Sequence, residues 1–170
     1  MNTVMPTRLS CLLLAVALPL AARASADVPA AVAAPGETIV ATFHAEGAQI
    51  YECRANPGGK LVWQFREPIA TLVLDGKTVG RHYAGPTWEL SDGSLVQGRV
   101  VGMAPGSTVN DIPWLKLEVA MRAGNGALSP VTTVQRINTD GGMAHGPCDK
   151  PRDSLSVPYR ADYVFLRPAD

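Results

Sequence analysis

Three Asx-Gly pairs, Asp75-Gly76, Asp92-Gly93 and Asn125-Gly126, each fall between strand-like runs of the chain. Such pairs tolerate the positive φ angles that tight hairpin turns require, so each predicts a strand reversing on itself. The clearest strand is Trp114–Arg122. Leu115, Leu117, Val119 and Met121 alternate there with Lys116, Glu118, Ala120 and Arg122, and a period of two puts the first set on a buried face. By the same period Leu61, Trp63 and Phe65 share a face, as do Tyr159, Ala161, Tyr163 and Phe165. Pro57-Gly58-Gly59 and Pro105-Gly106 mark longer turns. Strands are expected over 37–44, 47–53, 60–65, 69–75, 77–83, 86–90, 94–101, 114–122, 128–137 and 159–166, with no amphipathic helix of useful length. Short strands spaced roughly ten residues apart predict an all-β fold, a single-domain antiparallel β-sandwich or barrel. The turn-rich stretch 138–158 is expected to be a loop tied down by Cys148.

The N-terminus reads as a leader. Arg8 precedes the apolar run LSCLLLAVALPLAA, and ARASA follows, which is the pattern of a secretory signal peptide over 1–26 with cleavage after Ala26. The run is too short to cross a bilayer of roughly 30 Å as a helix. Residues 27–36, DVPAAVAAPG, are expected to be a flexible N-terminal tail, and 37–168 a single β-domain. The destination is secreted or periplasmic. Loss of Arg8 and Arg23 takes the 15 basic residues to 13, against 15 acidic, for a net charge of −2. Near-neutral charge without a basic run argues against nucleic acid and against anionic membrane surfaces. No second apolar stretch approaches transmembrane length, so no membrane span is expected.

Cys11 leaves with the leader, and Cys53 and Cys148 remain. Two lone cysteines in an oxidising compartment usually pair. The bond would close a 95-residue loop and restrict the unfolded chain by about 4.7 kcal/mol. The rival is a nucleophilic or metal-binding thiol. It has no C-x-x-C spacing, although His145 lies three residues before Cys148.

The densest run of unusual residues is GRHYAGPTWELSDGS, Gly80–Ser94. Read structurally, it is two strands, a Gly85-Pro86 corner and the Asp92-Gly93 turn, with Trp88 as an anchor and Glu89 and Asp92 solvated. Read functionally, His82, Tyr83 and Trp88 form a pocket wall, because aromatic faces stack on sugars and other flat ligands while a nearby acid orients hydroxyls. Asp92 also suits an Asx-turn. Arg136, flanked by Val134 and Ile137, is expected to be substantially buried and therefore to need a partner. Glu89 or Asp92 would serve if the stretch is a structural corner, and a ligand if it is a site. The ligand-binding candidates are thus His82, Tyr83, Trp88, Asp92 and Arg136.

Other chemistries find less support. His44, His82 and His145 are scattered; a sheet can gather such residues into a copper or zinc site, but His44 beside Glu46 reads as surface and His145 as loop. No metal and no cofactor are expected. The chain has no G-x-S-x-G elbow, no H-E-x-x-H, no P-loop and no G-x-G-x-x-G opening a helix. Glu89 and Asp92 as a glycosidase pair read more simply as two wet acids beside a turn. No catalytic residue is assigned.

Together GRHYAGPTWELSDGSLVQG (80–98), IPWLKLEV (112–119), GALSPVTTVQRINTDGGMA (126–144) and YRADYVFL (159–166) resemble a family of secreted bacterial and fungal proteins, the domain of unknown function numbered 3455. AQIYEC (48–53) is similar to its first motif, and the resemblance covers about 37–168. It implies an extracytoplasmic single domain without an assigned activity. It also places His82, Trp88, Asp92, Trp114, Arg136, Thr139, Gly141, Gly142 and the two cysteines on family motifs. Some fungal members carry a malate dehydrogenase label, but hydride transfer of that kind needs a Gly-rich strand-to-helix turn that this chain lacks. The expected function is a non-catalytic binding module for a small molecule, glycan or envelope protein. The alternatives are a small extracytoplasmic enzyme, hydrolytic or metal-dependent, centred on His82, and a structural protein without a pocket.

Overall fold

The computed structural model describes residues 27–170, so the expected leader and its cleavage point lie outside the described residues. Eight strands follow one another: β1 (Glu37–Ala55), β2 (Leu61–Leu74), β3 (Lys77–Tyr83), β4 (Thr87–Leu90), β5 (Leu95–Ala104), β6 (Trp114–Ala123), β7 (Thr133–Gly141) and β8 (Ser154–Pro168). Each pairs antiparallel with the next, and β8 returns to pair with β1 from Glu37↔Pro168 to Glu52↔Ser154. Of the two all-β arrangements expected, the sheet adopts the closed barrel.

Alternating strand direction sorts the connections onto two ends. One end collects all three Asx-Gly pairs. Asp75 (φ 49°) and Gly76 (φ 73°) both adopt the left-handed backbone that a two-residue reversal between β2 and β3 demands. The Asn125-Gly126 pair instead lies in the long β6–β7 connection, which turns at Gly124 (φ 72°). That connection drives Leu128 and Val131 into the core, where both are fully buried, and so plugs this end. The strand expected over 128–137 therefore begins only at Thr133. Successive turns (Ser129 N to Gly126 O, 3.0 Å; Val131 N to Leu128 O, 3.1 Å) occupy the preceding backbone, and Pro130 has no N–H for a ladder.

Two further expectations change. The spans 37–44 and 47–53 join into the 19-residue β1, and 60–65 and 69–75 into the 14-residue β2. Gly47 and Pro68, which break the sequence pattern, sit within continuous ladders, opposite Ala70 and Gln49 respectively. So long a β1 carries β8 with it, and the loop expected over 138–158 shrinks to 142–153.

Alternation sets the inside. Tyr159, Ala161, Tyr163 and Phe165 all point into a core shared with Phe43, Leu72, Trp88, Val96, Leu117 and Val134. In β6 the pattern holds at Leu117 but fails at Met121, which is 48% exposed, because β7 pairs with β6 only over Leu115–Glu118. The outer surface carries cross-strand ion pairs: Arg81–Glu89 at 2.8 Å, Arg99–Glu118 at 2.8 Å and Arg160–Glu46 at 3.4 Å. The same surface also exposes apolar side chains, Ile39 and Ile69 among them. No helix among the described residues is long and apolar enough to cross a membrane.

Within the segment expected to be a flexible tail, one residue docks on the barrel. Ala30–Val32 form one 3-10 turn, and Val32 is fully buried on the barrel exterior against Ala104, Trp114 and Ile137. Gln135 Nε2 donates to the Val32 carbonyl at 2.6 Å. Gly102 permits this close approach, since a Cβ there would collide with the Ala31 carbonyl. Trp114, out of phase with the inward residues of β6, is thereby covered from outside.

The Cys53–Cys148 disulfide is present, with the Cα atoms 5.8 Å apart, and ties the end of β1 to the β7–β8 loop. Reduction is expected to lower the unfolding free energy by about 2–5 kcal/mol in urea titrations; alkylatable thiols on the folded, unreduced protein would contradict the bond. Gly102→Ala is expected to lower stability by about 1–3 kcal/mol and to open the 27–36 segment to limited proteolysis. An unchanged melting temperature and cleavage pattern would show that the segment's docking does not depend on Gly102.

Candidate functional site

Strand alternation divides the Gly80–Ser94 stretch between two sides of one wall. His82 and Trp88 are cross-strand partners facing inward, whereas Arg81, Tyr83 and Glu89 face out. On the outside, Tyr83 Oη donates to Glu89 Oε2 at 2.9 Å, and the Arg81 guanidinium lies over the Tyr83 ring and binds the same carboxylate. The guanidinium holds the Glu89 carboxyl below its usual range. Asp92 belongs to the plugged end. It accepts from Ser94 Oγ (2.6 Å) and N (2.9 Å) and from Ala127 N (2.8 Å), which pins the β6–β7 plug to the β4–β5 turn and depresses the carboxyl's pKa. Tyr83 and Asp92 therefore do not join His82. Trp88 does, but beneath it: the rings stack at 4.6 Å and 10°, and the indole is 1% exposed, so it supports the imidazole and offers no open face.

The end opposite the plug is open. A cavity of about 530 Å³ lies there, bounded by β1, β2, β3, β5, β6 and β7 and by the loops at that end. Its lining grades with depth. Phe65 (54% exposed), Met103 (58%) and Val100 form an apolar rim, while Gln49 and His82, each 2% exposed, are deeply buried polar members of the lining. Tyr51 belongs to the lining as well, its hydroxyl donating to the Gly142 carbonyl at 2.7 Å. The volume falls inside the range of ligand pockets, roughly 300–1,000 Å³.

Arg136 lines the same cavity. The partners expected for it, Glu89 and Asp92, are on the outer surface and at the far end. Its Nε and Nη2 instead donate to one backbone carbonyl, that of Pro113, at 3.0 and 2.8 Å. No carboxylate pairs with it among the described residues. The neighbouring β5–β6 loop is held by related contacts: Thr139 Oγ1 donates to Ile112 O at 2.7 Å, and Gly141 N donates to Asp111 Oδ1 at 2.7 Å. Arg136, Thr139 and Gly141 thus shape the cavity mouth by gripping this loop.

His82 Nδ1 donates to the Thr87 carbonyl at 2.8 Å, which leaves Nε2 as the ring's acceptor. Burial, aided by the Arg136 charge and opposed by the Thr87 contact, pushes its pKa down to about 3, so the imidazole is neutral at pH 7. Tyr159 and Tyr163 share a hydroxyl contact at 3.2 Å, and burial raises both phenols. His44 pairs with Asp162 on the outside and His145 lies in the β7–β8 loop, so the three histidines do not converge. No group of three or more metal-ligating side chains that could hold an ion is found among the described residues. The lining offers one cation without a counter-charge, a neutral imidazole, a carboxamide and a phenol, and it contains no carboxylate, thiol or aliphatic hydroxyl among the described residues. Such a set can bind and orient. Gln49, Tyr51, Trp63 and Phe65 were not singled out from sequence as site residues, and only the closed topology brings them to Arg136.

A family model described as Protein of unknown function (DUF3455) matches residues 34–76 and 73–167. No curated protein and no solved structure matches the chain.

The buried imidazole has a pH signature. Its folded pKa lies below the unfolded value of about 6.5, so the unfolded chain binds the extra proton and stability falls as pH drops from about 6.5 toward 3. The full loss amounts to about 5 kcal/mol at the lower limit. Urea unfolding of His82→Phe between pH 7 and 4 is expected to show a visibly shallower loss than the parent protein. Parallel curves would contradict burial of a neutral His82.

Proposed function

The chain belongs to the DUF3455 family of proteins of unknown function, and we propose that it is a binding module that takes one small, largely apolar molecule into the open end of its barrel without performing chemistry on it. The observation that carries this reading is the cavity of about 530 Å³, with an apolar rim and polar residues buried behind it, at the end opposite the plug. Eight strands are the size at which a barrel is either filled by side chains or left with room for one small ligand. Here the plugged half is filled and the other half is hollow. A glycan fits less well, because the stacking face of Trp88 is covered and the rim presents Phe65, Val100 and Met103. Hydrolytic chemistry at His82 would need a nucleophile or a carboxylate beside it, and the lining supplies neither. The protein acts outside the cytoplasm: the leader pattern over 1–26 and the Cys53–Cys148 bond both support an oxidising destination.

The test is direct. Protein exported with its own leader is examined by native mass spectrometry and titrated with the uncharged dye N-phenyl-1-naphthylamine. One dye per barrel is expected, with binding weakened at least tenfold by the rim double variant Phe65→Asp/Met103→Asp. A bare native mass together with no dye binding would overturn the reading.

A further inference from the structure

The binding reading above leaves the ligand's chemistry open, and the lining narrows it. Arg136 brings a full positive charge to an apolar cavity. Its Nε and Nη2 are directed to the Pro113 carbonyl and the guanidinium also meets the Tyr163 hydroxyl, both neutral groups, so no counter-charge offsets it among the described residues. The other cation on the lining, Arg66, is already paired with Glu67. Gln49 is a second, independent irregularity. Its side chain lines the cavity at 2% exposure, and its Nε2 is buried without an acceptor among the described residues. Glu37 Oε2, Trp88 Nε1 and Trp114 Nε1 are also buried without a partner among the described residues, but of these four residues only Gln49 belongs to the cavity lining.

The two groups bracket one region. Gln49 packs beside Gly142, which also touches Ile112 and Tyr159; Ile112 precedes the Pro113 that Arg136 grips, and the Arg136 charge reaches Tyr159, Tyr51 and His82. One uncompensated guanidinium balances one negative charge. A planar acceptor with two oxygens suits the guanidinium on one side and a carboxamide N–H on the other. Outward from these donors the lining is Trp63, Phe65, Val100, Met103 and Leu115. We infer that the ligand is an amphiphilic monocarboxylate that enters head first, its carboxylate held between Arg136 and Gln49 and its apolar body against the rim of the barrel.

This inference rests on the binding reading, and the experiment separates the two. Decanoate, decanol and decyltrimethylammonium are each used to displace the neutral dye from the disulfide-bonded protein, with direct calorimetry of decanoate in parallel. Decanoate is expected to compete at least tenfold more strongly than decanol, and decyltrimethylammonium more weakly than either. Arg136→Gln, which also loosens the grip on Pro113, is expected to erase the advantage of decanoate over decanol when both are measured on that variant. Gln49→Glu, which places a carboxylate where the ligand's would sit, is expected to do the same without removing the grip on Pro113. Equal competition by decanoate and decanol, or decanoate binding unaltered in both variants, would overturn the carboxylate assignment and leave the binding module standing. Absence of dye, decanol and decanoate binding alike would overturn both.

Discussion

Everything in this molecule depends on the ladder between β1 and β8. It runs from Glu37↔Pro168 to Glu52↔Ser154 and turns an eight-strand meander into a tube. Open, the same sheet would have two faces and two unpaired edges, and edges recruit other strands. Closed, it has an inside and an outside, and a period-two sequence fills each with the appropriate residues. The ladder also creates the polar cluster at the open end: Gln49 and Tyr51 on β1, Arg136 on β7 and Tyr159 and Tyr163 on β8 are brought together only because the first and last strands meet.

The two ends divide the work. Tight turns and the Leu128–Val131 plug seal one end, with Asp92 as the clasp between them. Four connections, the disulfide and the Arg136–Pro113 contact organise the other. Burying polar groups costs stability unless they are paired. The polar lining of the open end meets that condition for His82 Nδ1 and the Tyr51 hydroxyl and leaves it unmet at Gln49 Nε2.

Much of this was legible in the residues. Asx-Gly pairs and alternation announce local reversals and faces, so the β class, the two turns at Asp75 and Asp92 and the inward set of β8 could be read directly. His82 and Trp88 as neighbours also followed from local pairing. What sequence could not give is what closure creates. Leu128 and Val131 look like strand residues because burial by a plug and burial by a sheet leave the same apolar signature. Val32 looks like tail because its cover, Trp114 and Ile137, is about a hundred residues away. Arg136 reads as needing a partner, yet its Nε and Nη2 bonds both go to a main-chain carbonyl, which no residue type advertises. Gln49 carries no signal at all: a glutamine in a strand is unremarkable until both its neighbours across the barrel are known.

The same first-to-last ladder has a temporal consequence. β8 follows the other seven strands in sequence, so the eight-strand closure cannot occur until β8 is available, and β1 must remain without its second partner until then. Contacts between positions this distant in sequence are slow to form, because a long loop must be ordered before they return any free energy. An early β1–β2 hairpin would meanwhile expose the edge that β8 is to cover. Cys53 sits near the end of β1 and Cys148 just before β8, so oxidation joins the two regions that must find each other and shortens the search from the length of the domain to that of a short tether. The bond between the end of β1 and the β7–β8 loop thus acts on the order of assembly as well as on the finished barrel.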